Sequence, residues 1–148
     1  EVGHQTIDPD GPSCNCGNNG CLEAFARADR IAAACGAPTA EEAVERARNG
    51  DAAAVEGLRR VARYLGIGIG NMVAVISPDR VVIGRGIAAA ADLLLPEIRA
   101  EVRRRVLTTS VDEVESVEAA LGTWAGAIGA AIHGAETAVW SQAGAVRP

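Results

Sequence analysis

The chain has 148 residues, 49% of them hydrophobic, which is enough for a domain with its own core. Its net charge is −5 and all 14 basic residues are arginine; this balance argues against a segment that grips nucleic acid, which needs a positive face. No apolar run reaches the roughly 18 uncharged residues of a membrane span. Aromatics make up only 3%, so the core is built from Ala, Val, Ile and Leu.

The first 23 residues, EVGHQTIDPDGPSCNCGNNGCLE, hold the densest chemistry in the chain. His4, Cys14, Cys16 and Cys21 offer one imidazole and three thiols within 18 residues. Structural zinc takes four such ligands in a tetrahedron. Gly11, Pro12, Gly17, Asn18, Asn19 and Gly20 let the chain turn back on one ion. The spacing is Cys-x-Cys, then four residues, then Cys. It matches neither the Cys-x2-Cys of common zinc fingers nor a redox Cys-x-x-Cys. A disulfide is the alternative use of an even number of cysteines, but it leaves His4 and one clustered Cys without a role. Cys35 lies in an alanine-rich helical run and reads as a buried small hydrophobe. Zinc-bound, reduced cysteines suit a cytoplasmic protein, and the opening residues carry no secretory leader. Glu1, His4 and Glu23 bracket the metal ligands and can hydrogen-bond a polar ligand.

The pattern Glu1-x-Gly3-His4, nine residues, then CxCGxxGCxE ending on Glu23 resembles the signature of the ROK family (repressors, open reading frames and sugar kinases). That resemblance implies a structural zinc on His4, Cys14, Cys16 and Cys21, and sugar hydroxyls held by Glu1, His4 and Glu23. The chemistry is consistent: a carboxylate can accept from two adjacent hydroxyls, and a His bound to metal through one nitrogen has the other nitrogen oriented. Four protein ligands leave zinc no open position, so it serves as a scaffold and not as a Lewis acid. ROK kinases resemble two-lobed, actin-like ATPases whose phosphate-binding DxGGT loop and catalytic Asp precede the ExGH segment. Neither lies in these 148 residues. The expectation is therefore one C-terminal lobe over 1–148 (zinc and sugar loop 1–23, body 24–148), with no catalytic residue in the chain, an N-terminal lobe outside it, and no activity for this segment alone.

Beyond the loop, residues 21–35 read as one helix with an apolar stripe of Leu22, Phe25, Ala26 and Ile31, ended by Gly36-Ala37-Pro38. Thr39 with Glu42 is a capping box for a helix to about Arg48, stopped at Asn49-Gly50. Asp51 caps a long helix to about Ile76, closed by Pro78. Its GIGIGN run, residues 66–71, is explained by close packing, with ligand contact as the alternative; no strand precedes it, so it is not a dinucleotide fingerprint. RVVI at 80–83 reads as a short buried strand, followed by Gly84, Arg85 and Gly86. Such a turn can approach phosphate or ribose, or can be an ordinary strand-to-helix connection. By resemblance it matches a glycine-rich segment near the adenosine of ATP, with Arg85 where the kinases usually have Gly.

A helix is expected from 87 to about 107, with Pro96 kinking or restarting it and Arg103–Arg105 as a solvated last turn. A linker follows at 108–113 and an edge strand at 114–120. LGTWAGAIGAAIHGAE, residues 121–136, resembles the family's LGxxAGxxGAA helix; His133 there reads as a packing or surface residue, and the tail after Val139 as frayed. The fold class is α/β, helix-rich, with too few strands for a complete doubly wound sheet. The resemblance implies the C-terminal lobe of an actin-like (ribonuclease H-like) ATPase with a zinc loop, in a homodimer. The function it implies is the sugar-binding part of an ATP- and Mg-dependent hexose or N-acetylhexosamine kinase. The sugar-sensing effector domain of a ROK repressor is the alternative. Partners are then the sugar and ATP, with no membrane and no nucleic acid through this segment.

Overall fold

The computed structural model describes residues 1–84, 90–107 and 114–143, the backbone alone at 123 and 138–143. They fall into two compact units, Glu1–Glu118 and Ala119–Pro148. In the first unit a loop leads into five helices: α1 (Leu22–Ala26), α2 (Ala28–Ala34), α3 (Ala40–Arg48), α4 (Ala52–Ile76) and α5 (Ala91–Arg105). Strands β1 (Arg80–Ile83) and β2 (Glu115–Glu118) flank α5 in sequence and pair in parallel, Arg80 opposite Glu115 and Ile83 opposite Glu118. A parallel pair needs such a crossover.

The long helix α4 is the spine of this unit. Asp51 starts it, its Oδ1 accepting from the amides of Ala53 at 2.9 Å and Ala54 at 3.1 Å. Ala54, Leu58, Val61, Leu65, Ile69 and Val73 recur at helical spacing and are all buried. Against this stripe pack α1, α2, α3 and, most extensively, α5 through Leu94, Ile98 and Val102. The helix ends at Ser77, which takes a left-handed φ of 44° just before Pro78. Thr39 caps α3 through its hydroxyl, which accepts from the Glu42 amide at 3.2 Å. The Glu42 carboxylate turns to Arg46 and does not close the reciprocal half of the capping box.

Four expectations need correction. The helix over 21–35 is two helices, broken at Arg27, whose backbone is extended. Arg27 serves both sides of the break: its amide closes α1 on the Glu23 carbonyl, and its carbonyl opens α2 by accepting from Arg30 and Ile31. Strand β1 is not buried throughout: Ile83 is, while Val82 is 58% exposed, as expected when alternate side chains leave opposite faces and one face is covered. Arg104 and Arg105 are not merely solvated. Both donate at 2.5 Å to Glu101, a carboxylate only 4% exposed. Burial pushes Glu101 upward, but those two guanidiniums outweigh it and hold the carboxyl below its ordinary value. Helix α5 contains Pro96 and ends at Arg105. The linker at 108–113 lies outside the described residues. The second unit holds a 3-10 turn, Gly122–Trp124, and α6 (Ala125–Ala143), so backbone helix continues four residues into the tail expected to fray after Val139; residues 144–148 lie outside the described residues.

The GIGIGN run is explained by contact. A Cβ on Gly66 would stand 2.5 Å from the Glu101 Cβ, and one on Gly68 would stand 2.6 Å from Leu22. Gly70 differs, since its nearest neighbour, Arg105, would be at an ordinary 3.7 Å. Gly66→Ala gains about 1 kcal/mol of helix propensity but meets overpacking of roughly 1–3 kcal/mol, whereas Gly70→Ala keeps the propensity gain alone. Urea titration should therefore show Gly66→Ala destabilised relative to Gly70→Ala. Equal effects of the two substitutions would refute this packing account.

Candidate metal centre

The loop that carries the cluster folds through backbone bonds. Residues Val2–His4 form a 3-10 turn, its last amide bonded to the Glu1 carbonyl at 3.1 Å. Isolated antiparallel bridges join Thr6 to Cys21 and Ser13 to Asn19. Gly20 is the pivot: its carbonyl accepts from Ile7 at 2.9 Å and its amide donates to Pro12 at 2.8 Å. Its φ is +63°, and a Cβ there would lie 1.4 Å from the Asp8 carbonyl oxygen, so no other residue fits. Cys21 then starts α1, which sets Glu23 in the first turn.

This path brings together His4, Cys14, Cys16 and Cys21, whose ligand atoms all lie within 4.8 Å of one another. The Cys14 sulfur is 3.6 Å from His4 Nδ1, and the Cys16 sulfur is 3.6 Å from that of Cys21. Donors 2.0–2.3 Å from one zinc in a tetrahedron stand about 3.5–3.8 Å apart, so the spacing fits that ion. A disulfide needs about 2.05 Å, and all four cysteines of the chain are free. Cys14 and Cys21 are buried and Cys16 is exposed. Burial, and then the neighbouring sulfurs, push the Cys21 thiol up to about 11. The Asn18 amide, then the Cys14 thiol, hold Cys16 below its ordinary value. Crowded thiols resist ionising together, and a divalent cation removes that resistance. Cys35 is apart from the cluster, buried, its thiol directed at the Ala54 carbonyl at 3.5 Å.

The imidazole of His4 has a different neighbour at each nitrogen. Nδ1 faces Cys14, while Nε2 lies 3.6 Å from the Glu1 carboxylate and 4.0 Å from that of Glu23. The three residues expected to bind sugar thus share one side of the metal cluster. Their exposure, 91% for the Glu1 side chain and 34–38% for the other two, leaves them open to a ligand. Gly84 lies at the end of β1, on a different element; Arg85 and Gly86 lie outside the described residues.

Sequence reasoning missed how this turn is held to the body. The Gln5 amide donates to the Val2 carbonyl at 3.0 Å and accepts from Asn71 of α4 at 3.2 Å. A Cβ on Gly68 would approach that Gln5 amide to 3.3 Å. Gly68 and Asn71, both in GIGIGN, therefore seat the residue next to His4. A polar Asn at the end of a glycine-rich helical run was the available signal.

A ROK family model matches residues 1–136 of the chain. The chain is 34% identical to a glucokinase of Halalkalibacterium halodurans over 87% of its own length and 45% of that protein. It is 30% identical to the xylose repressor of Bacillus spizizenii, again over 87% of its length, and 35% of that protein. The solved structure of a ROK family glucokinase from Streptomyces griseus, in complex with glucose and AMPPNP, superposes with a TM-score of 0.74 at 28% identity, covering 85% of this chain and 48% of that one. The chain spans less than half the length of each of these relatives.

Elemental analysis should find about one zinc per chain. A chelator, or a fall in pH that protonates the thiols, should release it, because only thiolates bind. Cys16→Ser should lose the metal and disorder the loop, since structural zinc contributes roughly 10–16 kcal/mol of apparent binding in small sites. A well-folded, metal-free chain would overturn the ligand assignment.

Proposed function

The chain belongs to the ROK family, and from that premise we propose that it forms the sugar-binding, zinc-stabilised part of an ATP-dependent hexose or N-acetylhexosamine kinase. The observation that carries this reading is the division of the His4 ring, Nδ1 toward the sulfurs and Nε2 toward two carboxylates. Zinc, when bound, supplies a fixed scaffold through four protein ligands. His4 then presents one oriented nitrogen, and Glu1 and Glu23 accept hydrogen bonds from adjacent sugar hydroxyls. Holding the sugar in one pose lowers the barrier to in-line phosphoryl transfer by proximity. The proton acceptor and the phosphate loop are not among these 148 residues, so transfer is proposed only for the chain acting with a further segment. The glycine turn at Gly84, Arg85 and Gly86 is proposed to approach the nucleotide. The assignment as C-terminal lobe of an actin-like fold, the homodimer and the cytoplasmic location belong to the same proposal. Among the described residues no helix is long and apolar enough to cross a membrane.

A second reading has its own support: the relatives include a xylose repressor at nearly the same identity as the glucokinase. In that reading the same three residues sense a sugar for a transcriptional repressor. The two readings share the pocket and differ in what the pocket controls.

ATP consumption by the full protein on a panel of hexoses separates them; turnover with one sugar supports the kinase, and saturable sugar binding without turnover on any member favours the repressor. Glu23→Gln should weaken sugar binding about ten- to a hundredfold with zinc content unchanged, the loss of a charge-assisted hydrogen bond of roughly 1.5–3 kcal/mol. Unchanged affinity would remove Glu23 from the site.

A further inference from the structure

The chain's only Phe and only Tyr do not enter its aliphatic core. Phe25 of α1 and Tyr64 of α4 stack instead, ring centroids 3.9 Å apart and 22° from parallel, both half-buried. Two cavities border this stack and share Arg60 and Tyr64. The larger, about 300 Å³, is lined by Ile7, Asp8, Arg60, Arg63, Tyr64 and Ile67. That is the lower end of the size range of small-molecule clefts. Arg60 and Arg63 have no carboxylate partner among the described residues; Arg60 donates once, to the Ala34 carbonyl at 2.9 Å, and Arg63 makes no bond there at all. In the adjoining cavity the Arg30 Nε is buried without a hydrogen-bond partner, with Asp29 the nearest carboxylate at 3.8 Å. Arg60 and Arg63 thus stand beside an aromatic ring with hydrogen-bonding capacity that the described residues leave unused.

We propose that this face is a second ligand site, separate from the metal pocket, for a phosphorylated sugar or polyol. Guanidiniums bind phosphate through paired hydrogen bonds, which Arg60 and Arg63 can supply. The Tyr64 ring, with Ile7 and Ile67, offers an apolar surface to the face of a sugar ring. Asp8 stands on the rim, its Oδ1 taken by the Asp10 amide at 3.1 Å, with its other oxygen able to accept from a hydroxyl. The same carboxylate and the net negative charge disfavour a polyanion such as a nucleic acid strand. One phosphate on a hydroxylated, partly apolar body satisfies each of these groups. The inference does not rest on the kinase or the repressor reading.

The test is calorimetric or NMR titration of the zinc-loaded protein with a hexose 6-phosphate, the parent hexose and inorganic phosphate. Saturable binding of the hexose phosphate is expected, at least tenfold tighter than inorganic phosphate. Arg63→Gln should weaken it tenfold or more; Arg63 is exposed and holds no hydrogen bond or ion pair among the described residues, so this variant keeps its fold. Glu23→Gln should leave it unchanged. The site is refuted by absence of saturable binding, by binding indifferent to Arg63→Gln, or by inorganic phosphate binding equally well. Loss of hexose phosphate binding in Glu23→Gln would place the ligand in the metal-side pocket and refute it too.

Discussion

A single imidazole joins the thiol cluster to two carboxylates. His4 Nδ1 faces the Cys14 sulfur while Nε2 faces Glu1 and Glu23, so whatever fixes one nitrogen aims the other. The loop exists to hold that ring. Gly20 lets the strand carrying Cys21 lie on Asp8 at a distance that no side chain would allow. Cys21 then ends the loop and begins the helix that carries Glu23, so one residue links the thiol cluster to that carboxylate. A metal ion held there by four protein donors would be rigid and would keep no open position for reactivity.

The rest of the first unit is a platform for that device. Helix α4 runs under the loop and supplies both a hydrophobic stripe and a seat. Gly68 admits Leu22 and Gln5, and Asn71 holds the Gln5 amide. Two residues earlier, on the other side of the helix, Gly66 admits α5, whose Glu101 is buried between Arg104 and Arg105. Glycines that are costly for an isolated helix thus let two neighbours approach the same spine. On another part of α4 stand Arg60, Arg63 and Tyr64, which line a cavity.

Two carboxylates beside an imidazole suit a polyhydroxy ligand whether the parent protein phosphorylates it or responds to it. Both kinds of protein occur among the relatives. Recognising a sugar needs only oriented hydrogen-bonding groups, whereas transferring a phosphoryl group to it also needs positioned phosphate contacts and a proton acceptor.

Much of this was legible from residue types alone. The gathering of His4, Cys14, Cys16 and Cys21 was, because three Cys and one His in a glycine-rich loop have few other uses, and so was the closeness of Glu1 and Glu23 to them, because they bracket the loop. The caps of α3 and α4 and the end of α4 at Pro78 also followed local rules, since Thr39 and Asp51 act on amides two or three residues away. The break at Arg27, the half-open strand β1 and the burial of Glu101 did not. Each depends on which partner packs against a face, and nothing local records that. The same is true of the His4 ring: its place in the cluster is written in the spacing, but which nitrogen meets the Cys14 sulfur and which the carboxylates was decided only when the loop closed. Local hydrogen bonding and ligand chemistry act over a few residues and can be read along the chain; orientation and burial arise from contacts between distant residues and exist only in the folded structure.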